Sequence, residues 1–431
     1  MSSERTMAGE APSFLQALRV WLRIGLLSFG GPAAQIALMH RIVVEEKGWL
    51  DERRFLNALS FCMLLPGPEA MQLATYAGWR LHGIAGGLVA GLLFVLPGAL
   101  VVLALAYVYA LFGEVPLVNA LFLGIKAAVL VIVFEALLKV ARRALTGADR
   151  YLLAGLAFVA IFFLALPFPL IVLAAALYGF WRGDDAGPPD AAEAAVERRG
   201  LPLQTALIWG ALWLLPLGLV LLWGSERLGA IGLFFSKLAV VTFGGAYAVL
   251  AYMGQDVVQA FGWLSAGEMM DGLGLAETTP GPLILVTEFV GFLAAYREGG
   301  LALGLAGAAL TLWVTFTPCF LWIFVGAPYI ERICAQPRLR GALSAITAAV
   351  VGVILNLSLW FALHVLFASV SRETAGPLVL WQPELASLDW RVLPPLLLSA
   401  LALGWRGWPV PWVLALSATL GAGLVFLVPT V

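Results

Sequence analysis

The chain has 431 residues, of which 62% are hydrophobic and 12% charged, and its formal net charge is −1. Soluble domains carry about 25% charged residues, so a water-exposed globule is excluded, and a near-neutral balance gives no electrostatic case for nucleic acid. Three cysteines without a CxxC pair (Cys62, Cys319, Cys334) and three histidines (His40, His82, His364) suggest no disulfide framework, metal site or haem. No cofactor and no catalytic residue are expected.

In chain order, the first twelve residues are polar and lack a short apolar core, so no removable signal peptide is expected. A helix beginning at Phe14 carries Arg19 and Arg23 near its start, where an interfacial position suits them. It runs to Ser28 and Phe29-Gly30-Gly31, with Gln35 one turn later. A basic loop follows (Arg41, Lys47, Arg53, Arg54). The segments 55–65 and 70–81 flank Pro66-Gly67-Pro68 and hold about a dozen residues each. At 1.5 Å rise per residue neither crosses a core of about 30 Å alone. Both a helix bent back at the motif and a single kinked span remain open. Residues 84–112 are free of charge, and 117–138 hold Lys126 and Glu135 in an apolar run. These runs are continuous rather than alternating, which excludes a barrel.

The sequence then repeats. Phe243-Gly244-Gly245, Gly262-Trp263-Leu264 and Pro280-Gly281-Pro282 match Phe29-Gly30-Gly31, Gly48-Trp49-Leu50 and Pro66-Gly67-Pro68 at one offset of 214. Pro318 and Pro337 match Pro97 and Pro116 at 221, which implies seven inserted residues, placed near 297–303. The expected division is residues 1–181 as an N-terminal repeat, 182–202 as a polar linker, 203–229 as an extra transmembrane helix with its connection, and 230–431 as a C-terminal repeat. The extra helix could reverse the second copy. Loop charges agree. The counterpart of the basic 40–54 loop (254–268) has no Lys or Arg, whereas the counterpart of the neutral 113–117 loop has Arg332, Arg338 and Arg340. The fold class expected is an all-α polytopic membrane protein, its two homologous halves forming an inverted repeat with broken or re-entrant helices at the FGG and PGP motifs.

Proline removes a backbone donor and clashes with the preceding turn. Freed backbone groups at membrane depth must face protein or a watery cavity. A helix restarting after such a break aims N–H groups and a partial positive charge forward, which suits an anion. The candidate binding residues are therefore Ser28, Gly30, Gly31, Gln35, Pro66, Gly67, Pro68, Gln72 and Thr75 in the first copy, with Lys126, and Thr242, Gly244, Gly245, Thr278, Thr279, Pro280, Gly281 and Pro282 in the second. A single FGG would favour helix packing, but its recurrence in register with PGP favours a site. Ionisable groups in apolar surroundings add coupling or charge-pair candidates: Arg23, Glu69, Glu135, Lys237, Glu277 and Glu288. Lys126 could meet the substrate or pair with a carboxylate such as Glu69 or Glu277. The tryptophans cluster near segment ends and read as an interfacial belt.

The FGGP, Trp49-Leu50, Leu65-Pro66-Gly67-Pro68 with Gln72, and Leu96-Pro97-Gly98 elements resemble the chromate ion transporter family, and the second copy resembles its C-terminal half, so the whole chain is similar to the long two-domain form. The resemblance implies efflux of chromate, with sulfate as a related anion, across the bacterial inner membrane, giving chromate resistance. It also marks departures. Gln35 stands where a histidine often follows FGGP, Glu277 where glutamine often precedes the second PGP, and Glu69 where a small polar residue usually follows the first. The two carboxylates repel a dianion unless protonated or paired. The alternatives are a proton-coupled carrier of another small anion and an anion channel. The partners expected are a small oxyanion and the bilayer, and a homodimer is compatible with this reading.

Overall fold

A computed structural model describes residues 12–113, 115–183, 202–243, 246–330 and 336–427. Gly244 and Gly245, Arg332, Cys334 and most of the 182–202 linker lie outside them. Fifteen helices are used below, with one small hairpin. They are α1 (Phe14–Leu27), α2 (Gly31–Met39), α3 (Glu52–Leu64), α4 (Glu69–Phe112), α5 (Pro116–Ala144), α6 (Ala148–Phe162), α7 (Phe168–Arg182), α8 (Pro202–Trp223), α9 (Glu226–Val241), α10 (Ala246–Gly254), α11 (Ala266–Thr278), α12 (Val286–Gly326), α13 (Pro337–Leu366), α14 (Leu393–Gly404) and α15 (Val410–Leu427). Among the described residues, six helical segments are long and apolar enough to cross a membrane.

The copies share local chemistry as well as motifs. Asp51 caps α3 by accepting from the Arg54 amide, and Ser265, at the matching position, caps α11 with Glu268 reciprocating. π-helical turns, His40–Glu46 and Gln255–Ala260, follow α2 and α10.

The 44-residue α4 and 41-residue α12 are not single rods. A straight helix of 44 residues would reach about 66 Å, twice the bilayer core. Each folds back at a pair of residues with closely matched backbone angles: His82 (φ −137°) and Gly83 (φ 62°), then Gly299 (φ −140°) and Gly300 (φ 68°). The second residue of each pair needs the left-handed region, which glycine enters freely. Small residues then let the arms close. A Cβ on Gly78 would lie 2.3 Å from the Gly86 carbonyl, and one on Gly291 would lie 2.1 Å from Thr311 Oγ1. Each long helix is therefore a half-length arm followed by one full crossing.

In the second copy both arms around the PGP motif return to one end. Arg297, at the end of the 286–298 arm, donates to the Trp263 carbonyl (2.8 Å) and pairs with Glu268, at the start of α11. The kinked-span alternative is thereby set aside here, and α11 with the next arm forms a hairpin bent back at the motif.

The inserted seven residues divide between two places. Pro68 to Gly83 spans 15 positions and Pro282 to Gly300 spans 18; the extra three match the 3₁₀ turn Leu283–Leu285, absent from the first copy. The other four, about one helical turn, lie between Gly300 and Pro318.

The full crossings of α4 and α12 pack antiparallel. A Cβ on Gly87 would meet Phe324, and one on Gly91 would meet Phe320. Close glycine contacts also seat α13 on α6 and α7 (Gly352 on Ala154, Gly341 on Gly179) and α15 on α5 (Gly421 on Gly124). Without a hydrophobic force between helices in lipid, such close approach is what holds them. An antiparallel hairpin, β1 (Val370–Ala375) with β2 (Leu378–Pro383), follows α13 and is tied to the end of α6 by the Val379 amide on the Phe163 carbonyl, 2.7 Å. The helical reading of the sequence did not include it. Trp263 is buried against Phe234 and stacks on Phe261.

Candidate functional site

The two PGP breaks and the FGG break meet. α1 ends at Leu27, and the chain turns through Gly30 (φ 85°) and Gly31 (φ 78°) into α2. The Gly67 amide donates to the Thr242 carbonyl, 2.9 Å, and the Gly281 amide donates to the Ser28 carbonyl, 2.8 Å. Ser28 and Thr242 are matching positions, as are Gly67 and Gly281, so the copies exchange equivalent bonds. The exchange continues in packing. A Cβ on Gly98 would lie 2.1 Å from the Pro280 carbonyl, and Cys319, the matching residue, has its Sγ 2.9 Å from where a Gly67 Cβ would sit.

Glutamines complete the junction. Gln35 Nε2 donates to the Gly281 carbonyl (2.7 Å) and to that of Ser28 (3.3 Å), and Gln72 Nε2 donates to that of Pro66 (2.7 Å). Both side chains are buried, and both Oε1 atoms lack a partner among the described residues. These amides therefore satisfy carbonyls that the prolines free, rather than facing outward as donors.

The hydroxyls are likewise committed. Ser28 donates to Ile24, Thr75 to Met71, Thr242 to Leu238, Thr278 to Leu275, Thr279 to Ala276 and Thr287 to Ile284. Each spends its proton on the preceding turn, where it cannot also serve an oxyanion.

What remains is backbone. A small void is lined by Pro32, Gln35, Pro68, Glu69, Ala70, Ala246, Pro282, Leu283 and Ile284. Residues from just after both PGP motifs reach it. The first-turn amides of the 69–81 arm have no acceptor within their own helix. The Glu69 carboxyl shares the void and would compete with an anion for it.

The other candidates scatter. Lys126 pairs with Asp271 (3.1 Å), not with Glu69 or Glu277. Glu277 accepts from the Tyr247 hydroxyl at 2.8 Å. Glu288 is buried, and its Oε2 has no partner among the described residues. Arg23 pairs with Glu46 at 3.2 Å and is half exposed; Glu135 pairs with Lys139 at 3.1 Å, and the Lys237 ammonium sits 5.6 Å from the Tyr252 ring centre. Sequence reasoning missed Asp271, Tyr109, Tyr247 and Cys319. Asp271 carried a usable signal, being a carboxylate within the apolar run 269–276.

The family described as Chromate transporter matches residues 15–180 and 229–422. The chain belongs to the chromate transporter family. It is similar to the Chromate transport protein of Pseudomonas aeruginosa, with 31% identity over 412 residues, 92% of each chain. It is 31% identical over 359 residues to the Chromate transport protein of Cupriavidus metallidurans, covering 81% of this chain and 84% of that one. It is 32% identical over 351 residues to the Probable chromate transport protein of Synechococcus elongatus, covering 80% and 83%. No solved structure matches. As a member of the chromate transporter family the chain is a multi-pass membrane transport protein rather than an enzyme, and α8 falls between the two matched stretches.

Proposed function

We propose that this chain exports chromate, or a tetrahedral oxyanion of like charge such as sulfate, across the bacterial inner membrane, and that the anion passes the void between the two PGP breaks. The observation that carries the reading is the convergence there of two interrupted helices with residues from both copies. Half-helix N-termini at a repeat interface are how many secondary transporters hold anions. The relatives' names supply the cargo.

We read the halves, 1–181 and 230–431, as an inverted repeat joined through the 182–202 linker and the extra helix in 203–229. The antiparallel packing of α4 on α12 and the opposite charge of matching loops support it. The basic 40–54 segment and the basic end of α5 (Lys139, Arg142, Arg143) are assigned to the cytoplasm. A dianion leaving an inside-negative cell gains about 4.6 kcal/mol per 100 mV, so the membrane potential suffices to drive export. Ion exchange is an equivalent source.

Chromate uptake into inside-out vesicles, with sulfate and molybdate as competitors, tests the cargo. Saturable uptake that sulfate reduces is expected; protein that inserts correctly and passes no chromate would refute it. A proton-coupled carrier of another small anion is the second reading, favoured by the buried Glu288 carboxyl, whose Oε2 lacks a partner among the described residues. Flux that tracks an imposed pH gradient and loses that dependence in Glu288→Gln would replace the first reading with it.

A further inference from the structure

Away from the central void, α4, α5, α11 and the 286–298 arm of α12 enclose an open cavity of about 680 Å³. Its wall includes Tyr109, Asn119, Lys126, Glu268, Asp271 and Arg297. None of these lines the void at the PGP motifs. Lys126 Nζ lies 3.1 Å from Asp271 Oδ1, and Tyr109 donates its hydroxyl to Asp271 Oδ2 at 2.8 Å. The carboxylate is almost sealed, its side chain 3% exposed, while the lysine keeps 23% of its surface open. The difference has a local cause. A Cβ on Gly267 would stand 3.3 Å from the ammonium, so glycine at the start of α11 leaves the room that Lys126 occupies.

Charge bookkeeping makes the cavity neutral as it stands. Lys126 is matched by Asp271, and Arg297 by Glu268. Glu268 also caps α11 through the Ser265 amide, so that pair is committed to holding the hairpin. Lys126 is not so committed: an ammonium has three protons, and its ion pair with Asp271 leaves donors to spare. Asp271 in turn keeps Tyr109 as a donor if the lysine turns away. An arriving oxyanion can therefore take the ammonium while the carboxylate keeps one donor, the Tyr109 hydroxyl on Oδ2.

We propose that this cavity is a second anion station, that Lys126 is the cation that binds a tetrahedral dianion there, and that Asp271 is the built-in competitor which the dianion displaces. The inference rests on the oxyanion-transport reading for its relevance, although the binding event stands alone. Asp271 lies seven residues before Thr278 on α11, about 10 Å along the helix from the PGP break at 1.5 Å per residue. That spacing makes the cavity a step on the way to or from the central void. Because the ion pair joins α5 of one copy to α11 of the other, anion binding loosens a contact between the halves.

The test is equilibrium binding of sulfate to the purified full-length chain in lipid nanodiscs. Asp271→Asn frees Lys126 while keeping the Tyr109 contact, and sulfate binding is expected to tighten by about tenfold, the scale of a removed charge competitor. Unchanged or weaker sulfate binding in Asp271→Asn overturns the proposal. Lys126→Gln is expected to lose the tightened event when placed on Asp271→Asn, and Lys126→Arg to retain it; tightened binding that persists without a cation at 126 also overturns the proposal. Gly281→Leu, which disables the central void, is expected to keep this event. Failure of chromate flux alongside tightened sulfate binding in Asp271→Asn removes the cargo reading and leaves the station standing.

Discussion

Gly67 gives its amide proton to the Thr242 carbonyl, 2.9 Å away, and so fastens the interrupted helix of the first copy to the end of α9 in the second. Its φ is 118°, a conformation that costs an L side chain, and a Cβ there would meet Cys319 Sγ and Gln72 Nε2, each at 2.9 Å. Gly67→Leu and Gly281→Leu are both expected to abolish transport while the protein still inserts. Membrane abundance and vesicle flux, measured together, check this. Normal flux in either variant removes the PGP site.

The two glycines differ in how they fail. Gly67→Ala suffers from backbone strain of about 1–2 kcal/mol and from the sulfur. Gly281→Ala has φ 92° and meets Leu285 at 3.0 Å rather than a sulfur. Cys319→Ala is therefore expected to recover part of the stability and flux lost in Gly67→Ala and nothing in Gly281→Ala. Thermal midpoints of the two double variants settle it.

Gln35 works as a donor to carbonyls, so the donor is what a substitution must keep. Gln35→Glu places acceptors against acceptors and leaves buried carbonyls unsatisfied, at about 1–3 kcal/mol. Loss of flux is expected for Gln35→Glu. Gln35→His, which keeps an N–H, is expected to transport. Equal flux from both variants would show that the contact is dispensable.

Glu69 shares the void with the proposed guest. Removing its charge in Glu69→Gln is expected to lower the KM for chromate on the order of tenfold, a modest part of what two close charges exchange in a partly screened site. An unchanged or raised KM would place the carboxyl outside the pathway.

Far from the pathway, Arg391 forks onto Asp389 through Nε and Nη2, each at 2.8 Å, before α14. The guanidinium holds the Asp389 carboxyl below its usual range. A carboxyl lowered on folding stabilises above its unfolded value, about 3.9, and the stabilisation is lost as pH falls through the folded value. Asp389→Asn is expected to lower stability by about 0.5–1 kcal/mol near neutral pH and to weaken the acid dependence of the thermal midpoint, with chromate KM unaltered. A wild-type pH profile in the variant would contradict this.

Much of the architecture was legible because it is written twice. The offset of 214 aligned both breaks, and proline and glycine told where helices stop. The fold-backs were not legible. The segment 70–81 stops at His82-Gly83, and Arg297 and Glu298 precede Gly299-Gly300, but hydropathy does not show that the chain reverses at these points, and only contacts such as Gly78 on Gly86 close the arms. The polar residues near the breaks were found, but their duties were not. A threonine in a helix can bond its own preceding turn or a guest, and sequence does not decide between them. Lys126 was singled out without its partner, because Asp271 lies 145 positions away and has Asn57 as its counterpart in the first copy.

The exchanged amide bonds also bear on how this chain can change over generations. Each copy finishes a hydrogen-bonding task that the other leaves open, so a drift in backbone at Ser28 is felt at Gly281, and one at Thr242 is felt at Gly67. Duplicated halves are usually free to diverge, but these are bound to keep step at four positions while their surfaces wander.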